Sequence, residues 1–178
     1  MSIELLFEAA RIAVSGDPND KRNFLLGCVG IRKDNAKIVS KNGAVISRTY
    51  ENYRIISNAH AECRAIRKLG KRGTLYVSRV LKMNGALSMS RPCGGCRLRI
   101  KAAQVDKVWY TIDEFHYGIF DVASETDKII EMPADFTSIR FGNFPCSSKD
   151  QQDFFNNVRP FQPPRRKDNR YIPFLTAH

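Results

Sequence analysis

Nowhere in the 178 residues does an apolar run approach the roughly 20 needed to span a bilayer, so no membrane-crossing helix and no membrane partner are expected. The first residues, MSIELLFEAARIAVSGD, have neither the basic start nor the small-residue cleavage site of a signal peptide, and Glu4 and Glu8 interrupt their apolar stretch. A cytoplasmic protein is the expectation. Cysteine is too sparse for a secreted disulfide framework: there are five, an odd number, and Cys28, Cys63 and Cys146 stand singly. Acidic residues are also short, 18 against 29 Lys and Arg, which leaves a net charge of +11. That excess favours anionic partners, nucleotides or polynucleotide backbones, without choosing between them, and a solvated basic surface gives the same balance.

What is present suits one domain with a tail. Residues 3–14, IELLFEAARIAV, set Leu5, Leu6, Ala9, Ile12 and Ala13 at helical spacing, with Ser2 as a candidate N-cap and Gly16-Asp17-Pro18 as the stop. Residues 24–32, FLLGCVGIR, and 37–47, KIVSKNGAVIS, read as a hairpin whose second strand is interrupted at Asn42-Gly43. RTYENYRIISN reads as a polar loop into a helix over 59–69 that Gly70 stops. Residues 74–81, TLYVSRVL, make a third strand, followed by an irregular stretch ending SMSRP. A helix then starts at Pro92 or Cys93, with Pro suited to a first helical position, and runs to Ala103. Residues 107–112 and 117–123 make strands four and five, and the join between them is too short for a helical crossover, so they should pair antiparallel. Strands separated by helices imply a partly parallel sheet with helices on its faces. From Phe141 onward periodicity fades and Pro, Asn, Arg and Phe accumulate, so the reading is a domain over 1–140 and a basic, aromatic extension over 141–178.

Two helix starts carry the chemistry. His60-Ala61-Glu62 opens one and Pro92-Cys93-Gly94-Gly95-Cys96 the other. A catalytic zinc takes three nitrogen or sulfur ligands and keeps a fourth position for water. His60, Cys93 and Cys96 supply that number, and the C-x-x-C spacing lets two thiolates at a helix start converge on one ion. Glu62, two positions from the His, is then left as an acid/base group beside water whose pKa the metal can lower to about 7. It would take a proton from that water, deliver it to a ring nitrogen and help protonate the departing ammonia.

HAE followed by PCGGC resembles the zinc signature of the cytidine and deoxycytidylate deaminase superfamily. The likeness extends to VGIRKDNAKIVSKNG, HAECRAIRKLG, TLYVSR and CGGCRLRIKAAQVDKVWYT, covering residues 3–123. It implies a three-layer α/β/α fold, a mixed five-stranded sheet flanked by helices, with Zn2+ held by His60, Cys93 and Cys96 and Glu62 as proton shuttle. By the same resemblance Asn42 would contact the sugar, and the Ala61 N–H the pyrimidine carbonyl oxygen. Arg91 would lend its backbone carbonyl near the exocyclic amine, and its side chain could reach a phosphate. Phe24 is a candidate for stacking near the base, although a Phe in a strand more often belongs to the core. The stretch between TLYVS and PCGGC is longer than in many members, so RVLKMNGALSMS would rebuild the pocket rim. The short join between strands four and five resembles the free cytidine branch, whereas the hairpin is nearer to deoxycytidylate deaminases.

The leading reading is hydrolytic deamination of free (deoxy)cytidine or (deoxy)cytidylate to the uracil counterpart. A cytosine deaminase on single-stranded DNA or RNA, favoured by the basic tail, and a zinc module that binds nucleic acid without turnover remain open. The family often assembles, which leaves a homo-oligomer open as well. His116 and His178 have no partner at a telling spacing, Asp113-Glu114 reads as a solvated turn, and Trp109 as buried against a helix.

Overall fold

The computed structural model describes residues 3–15, 22–43, 48–51, 54–57, 60–137 and 139–142. The first helix, α1 (Ile3–Val14), turns Leu6, Phe7, Ala9, Ala10 and Ala13 inward. The strand β1 (Phe24–Ile31) is buried along its middle on both faces, as its unbroken apolar run requires. Gly27 explains how closely α1 approaches it. A Cβ there would lie 2.0 Å from the Ala9 carbonyl oxygen and 2.7 Å from the Ala13 nitrogen, so any side chain would push the helix off the sheet.

Of the expected hairpin, β2 (Lys37–Lys41) pairs antiparallel with β1 and ends just before Asn42-Gly43, while residues 44–47 of the expected strand lie outside the described residues. The segment expected to be a polar loop is instead a second small sheet, β3 (Arg48–Glu51) paired antiparallel with β4 (Arg54–Ser57). Without an apolar alternation, its polar sequence carries no strand signal. Helix α2 (Ala61–Leu69) follows. The strand β5 (Thr74–Leu81) pairs antiparallel with β1 over its whole length.

The stretch expected to be irregular folds back through a turn at Lys82–Asn84 into a short β6 (Leu87–Ser88) that pairs with β5. Helix α3 (Gly94–Ala102) then crosses over to β7 (Lys107–Thr111), which lies parallel to β5. Pro92 precedes the Cys93 N-cap rather than occupying the first helical position. As the short join requires, β8 (His116–Asp121) runs antiparallel to β7. A further strand, β9 (Thr126–Glu131), closes the edge. The sheet runs β2-β1-β5-β7-β8-β9, with β6 attached to β5.

Two apolar clusters sandwich this sheet. One joins α1 to Leu25, Val29, Tyr76 and Val80, the other joins α2 and α3 to Leu26, Cys28, Leu75, Val77 and Val108. Successive strand residues point to opposite faces, so the alternation along β1 and β5 divides them between the two layers. The result is the α/β/α sandwich the sequence implies, with a larger sheet than the five strands expected. Trp109 is half-buried on the α1 face, stacked between Tyr76 and Tyr117 at centroid distances of 5.8 and 5.4 Å. Among the described residues no helix is long and apolar enough to cross a membrane. The Ser2 cap and the extension beyond Gly142 lie outside the described residues.

Candidate active site

The end of β2 holds the start of α2 at both its backbone groups. Ser40 Oγ donates to the Ala61 carbonyl at 2.7 Å, and the Ala61 N–H donates to Asn42 Oδ1 at 3.1 Å. Asn42 is itself anchored through its N–H to the Leu26 carbonyl at 3.1 Å. Thus Asn42 and Ala61, both expected to touch substrate, touch each other, and the Asn42 amide NH2 remains as the donor group.

The segment entering α3 is stitched to the end of β7. Ser90 is 2% exposed and Thr111 fully buried. Ser90 Oγ donates to the Val77 carbonyl at 2.7 Å and accepts the Thr111 N–H at 2.9 Å, and the Ser90 N–H donates to the Thr111 carbonyl at 2.8 Å. Thr111 Oγ1 donates to the Ser88 carbonyl at 2.8 Å. Ser90→Ala would leave buried backbone groups unpaired, and should lower stability by about 1–3 kcal/mol. The check is a lower urea midpoint at an unchanged m value.

These supports bring the two helix starts together, with α2 and α3 packed side by side. His60 and Cys93 stand at the N-cap positions, yet neither side chain caps its helix. They face each other instead. Nδ1 of His60 lies 3.2 Å from Cys96 Sγ and 3.6 Å from Cys93 Sγ, and the two sulfurs are 3.3 Å apart. Zn–S bonds of about 2.3 Å and Zn–N bonds of about 2.0 Å put neighbouring tetrahedral donors about 3.5–3.8 Å apart, so the trio fits one zinc ion. It is the one metal-ligating group of three or more among the described residues. Cys63 Sγ approaches Cys96 at 3.6 Å but does not join that group, which leaves the fourth position to a small molecule.

Charge at the site follows from the same contacts. Hydrogen bonds from Cys96 and then His60 hold the Cys93 thiol down to about 3. The bond to Cys93 in turn raises the His60 pKa. Cys93 is the N-cap of α3, so the positive end of that helix favours its thiolate further, whereas hydrogen bonds to Cys63 and Cys93 push the Cys96 thiol up. Glu62 is 2% exposed, and burial pushes its carboxyl above the usual carboxylate range. Its Oε2 is buried without any hydrogen-bond partner. A buried carboxylate oxygen that the protein leaves unpaired is uncommon.

Arg91 directly precedes the Pro92-Cys93 turn, but its side chain is committed elsewhere. Its Nε donates to Asp127 Oδ1 at 3.2 Å and Nη2 makes a short contact with Oδ2. Tyr110 Oη donates to the same Oδ1 at 2.8 Å, and burial, then Asp127, pushes that phenol up to about 12. Tyr110 reaches Asp127 because Gly118 intervenes on β8: a Cβ there would sit 2.2 Å from the ring. Phe24 lies at the start of β1 with the Arg79 guanidinium carbon 4.2 Å above its ring centroid. His116, expected without a partner, pairs with Asp113 at 3.0 Å, and Glu114 pairs with Arg140 at 2.7 Å. Sequence reasoning missed Ser40, Ser90, Thr111, Tyr110, Asp127 and Arg79, whose roles arise from contacts distant along the chain.

A sequence model of the cytidine and deoxycytidylate deaminase zinc-binding region matches residues 2–112. No curated protein matches the chain significantly. The matched span contains all three converging donors and Glu62, and it includes the strands and helices that place them. The chain belongs to the cytidine and deoxycytidylate deaminase zinc-binding family.

Proposed function

We propose that the protein hydrolyses the exocyclic amine of free (deoxy)cytidine or (deoxy)cytidylate, giving the uracil counterpart and ammonia. The observation that carries this reading is Glu62: buried, unpartnered at Oε2 and two positions from His60, it is placed to carry protons. Zinc held by His60, Cys93 and Cys96 supplies a Lewis acid that makes water nucleophilic near neutral pH. Glu62 accepts one proton from that water and passes it to the ring nitrogen. It accepts the second and returns it to the leaving amine, so water and the amine exchange as carbonyl and ammonia. Its raised pKa suits a group that must both hold and release a proton.

Around it, the Asn42 NH2 group donates to the sugar, Ala61 lies against the pyrimidine carbonyl edge, and the Arg91 carbonyl accepts from the amine. Phe24 forms the apolar floor. All four described cysteines are free, which suits a reducing cytoplasm.

The test is ammonia release from deoxycytidine, dCMP and a cytosine-bearing oligonucleotide, each incubated with zinc-loaded protein. Turnover of either monomer supports the reading. Uracil formed only in the oligonucleotide replaces it with polynucleotide deamination. Tight, salt-sensitive oligonucleotide binding with no turnover replaces it with a binding module.

A further inference from the structure

Arg79 sits on the same face of the sheet as the site. In register it pairs with Leu26, whose carbonyl accepts the Asn42 N–H. Asn42, Leu26 and Arg79 thus form a row across three neighbouring chain segments, and spacings of about 4.8 Å put Asn42 and Arg79 about 10 Å apart. Leu26 belongs to the cluster under α2 and α3, so the row faces the helix that carries Glu62.

The Arg79 side chain is held but not neutralised. Its guanidinium carbon lies 4.2 Å from the Phe24 ring centroid, a cation–π contact that holds the group without neutralising its charge. Its Nε is buried and bonded to nothing. Burial lowers its pKa while the Glu62 carboxylate acts in the opposite sense, so the two groups feel each other's field. No carboxylate among the described residues forms an ion pair with it, in contrast to Arg91, which Asp127 engages through two nitrogens.

A guanidinium with an unpaired Nε–H and no carboxylate among the described residues engaging it keeps both charge and donors for an anion. In a cytosine nucleoside or nucleotide, the anionic group is the phosphate. We propose that Arg79, stacked on Phe24 in the row that also holds Asn42, binds the substrate's phosphate and makes the protein select cytosine nucleotides over nucleosides. This rests on the deaminase reading for the base but not for the anion. The phosphate is a monoester in a free nucleotide or a diester in a strand, and the recognition chemistry is shared.

The experiment compares kcat/KM for deoxycytidine, dCMP and a cytosine-centred oligonucleotide in the parent, Arg79→Gln and Arg79→Lys. A charged hydrogen bond of about 1.5–3 kcal/mol corresponds to a fall of about 10–150-fold in the phosphate-to-nucleoside ratio for Arg79→Gln. Arg79→Lys restores part of it, because the charge survives without the fork. A fall confined to dCMP assigns a monoester, and one confined to the oligonucleotide assigns a diester. A ratio that stays within about threefold of the parent's in both variants overturns the proposal.

Calorimetric titration with dCMP and deoxycytidine separates the two readings. Arg79-dependent preference for dCMP without turnover upholds the phosphate site and sinks deamination. Turnover with no such preference does the reverse.

Discussion

Replacing Glu62 by Gln is expected to leave zinc in place and to cut turnover by about 10²–10⁴-fold, the usual share of a positioned acid/base group. The expectation follows from the separation of roles in the site. The three metal-ligating atoms lie within 4.8 Å of one another, and Glu62 is not one of them. Gln keeps the shape of the buried side chain, so packing around residue 62 is preserved while the proton capacity is lost. The loss should fall on kcat rather than KM, because the group acts on protons that move in the transition state. Metal analysis and steady-state kinetics on the same preparation check it. Parent-like kcat at full zinc content would remove Glu62 from the mechanism.

Cys93→Ala is expected to lose the metal outright, with activity at background and a lower thermal midpoint. Two remaining donors cannot close a three-ligand site, and whatever stabilisation zinc gives the native state disappears with it. The control is Cys63→Ala, whose sulfur lies 3.6 Å from Cys96 but outside the converging trio, and which should retain zinc. Metal content and melting curves of both variants decide the point. Full zinc in Cys93→Ala, or none in Cys63→Ala, would mean the ligands are assigned wrongly.

Local signals made much of this legible beforehand. The apolar runs of β1 and β5, the helical period of α1 and the stop at Gly70 are properties of short windows, and these elements lie where their windows put them. The donors were legible for the same reason, since HAE and PCGGC are contiguous. β9 was not. Thr126–Glu131 reads TDKIIE, with two adjacent Ile residues instead of an alternation, because an edge strand on the rim needs little apolar surface. The pairing of 48–51 with 54–57 was hidden likewise by a polar sequence.

Residues that brace the site escaped for a different reason. Ser90 meets Thr111, and Arg91 meets Asp127, across 21 and 36 positions, separations at which no window links them. The side chain of Arg91, expected to be available to a phosphate, is spoken for by one such partner.

That partner lies beyond residue 112, outside the span that the family match covers. Asp127 ties the turn before Cys93 to a rim strand, and Gly118 clears the path for Tyr110 to join it. The metal-binding signature is therefore not a portable cassette. Grafted into another scaffold without its last two strands, the cysteine turn would keep its ligands but lose the guy-rope that sets their angle.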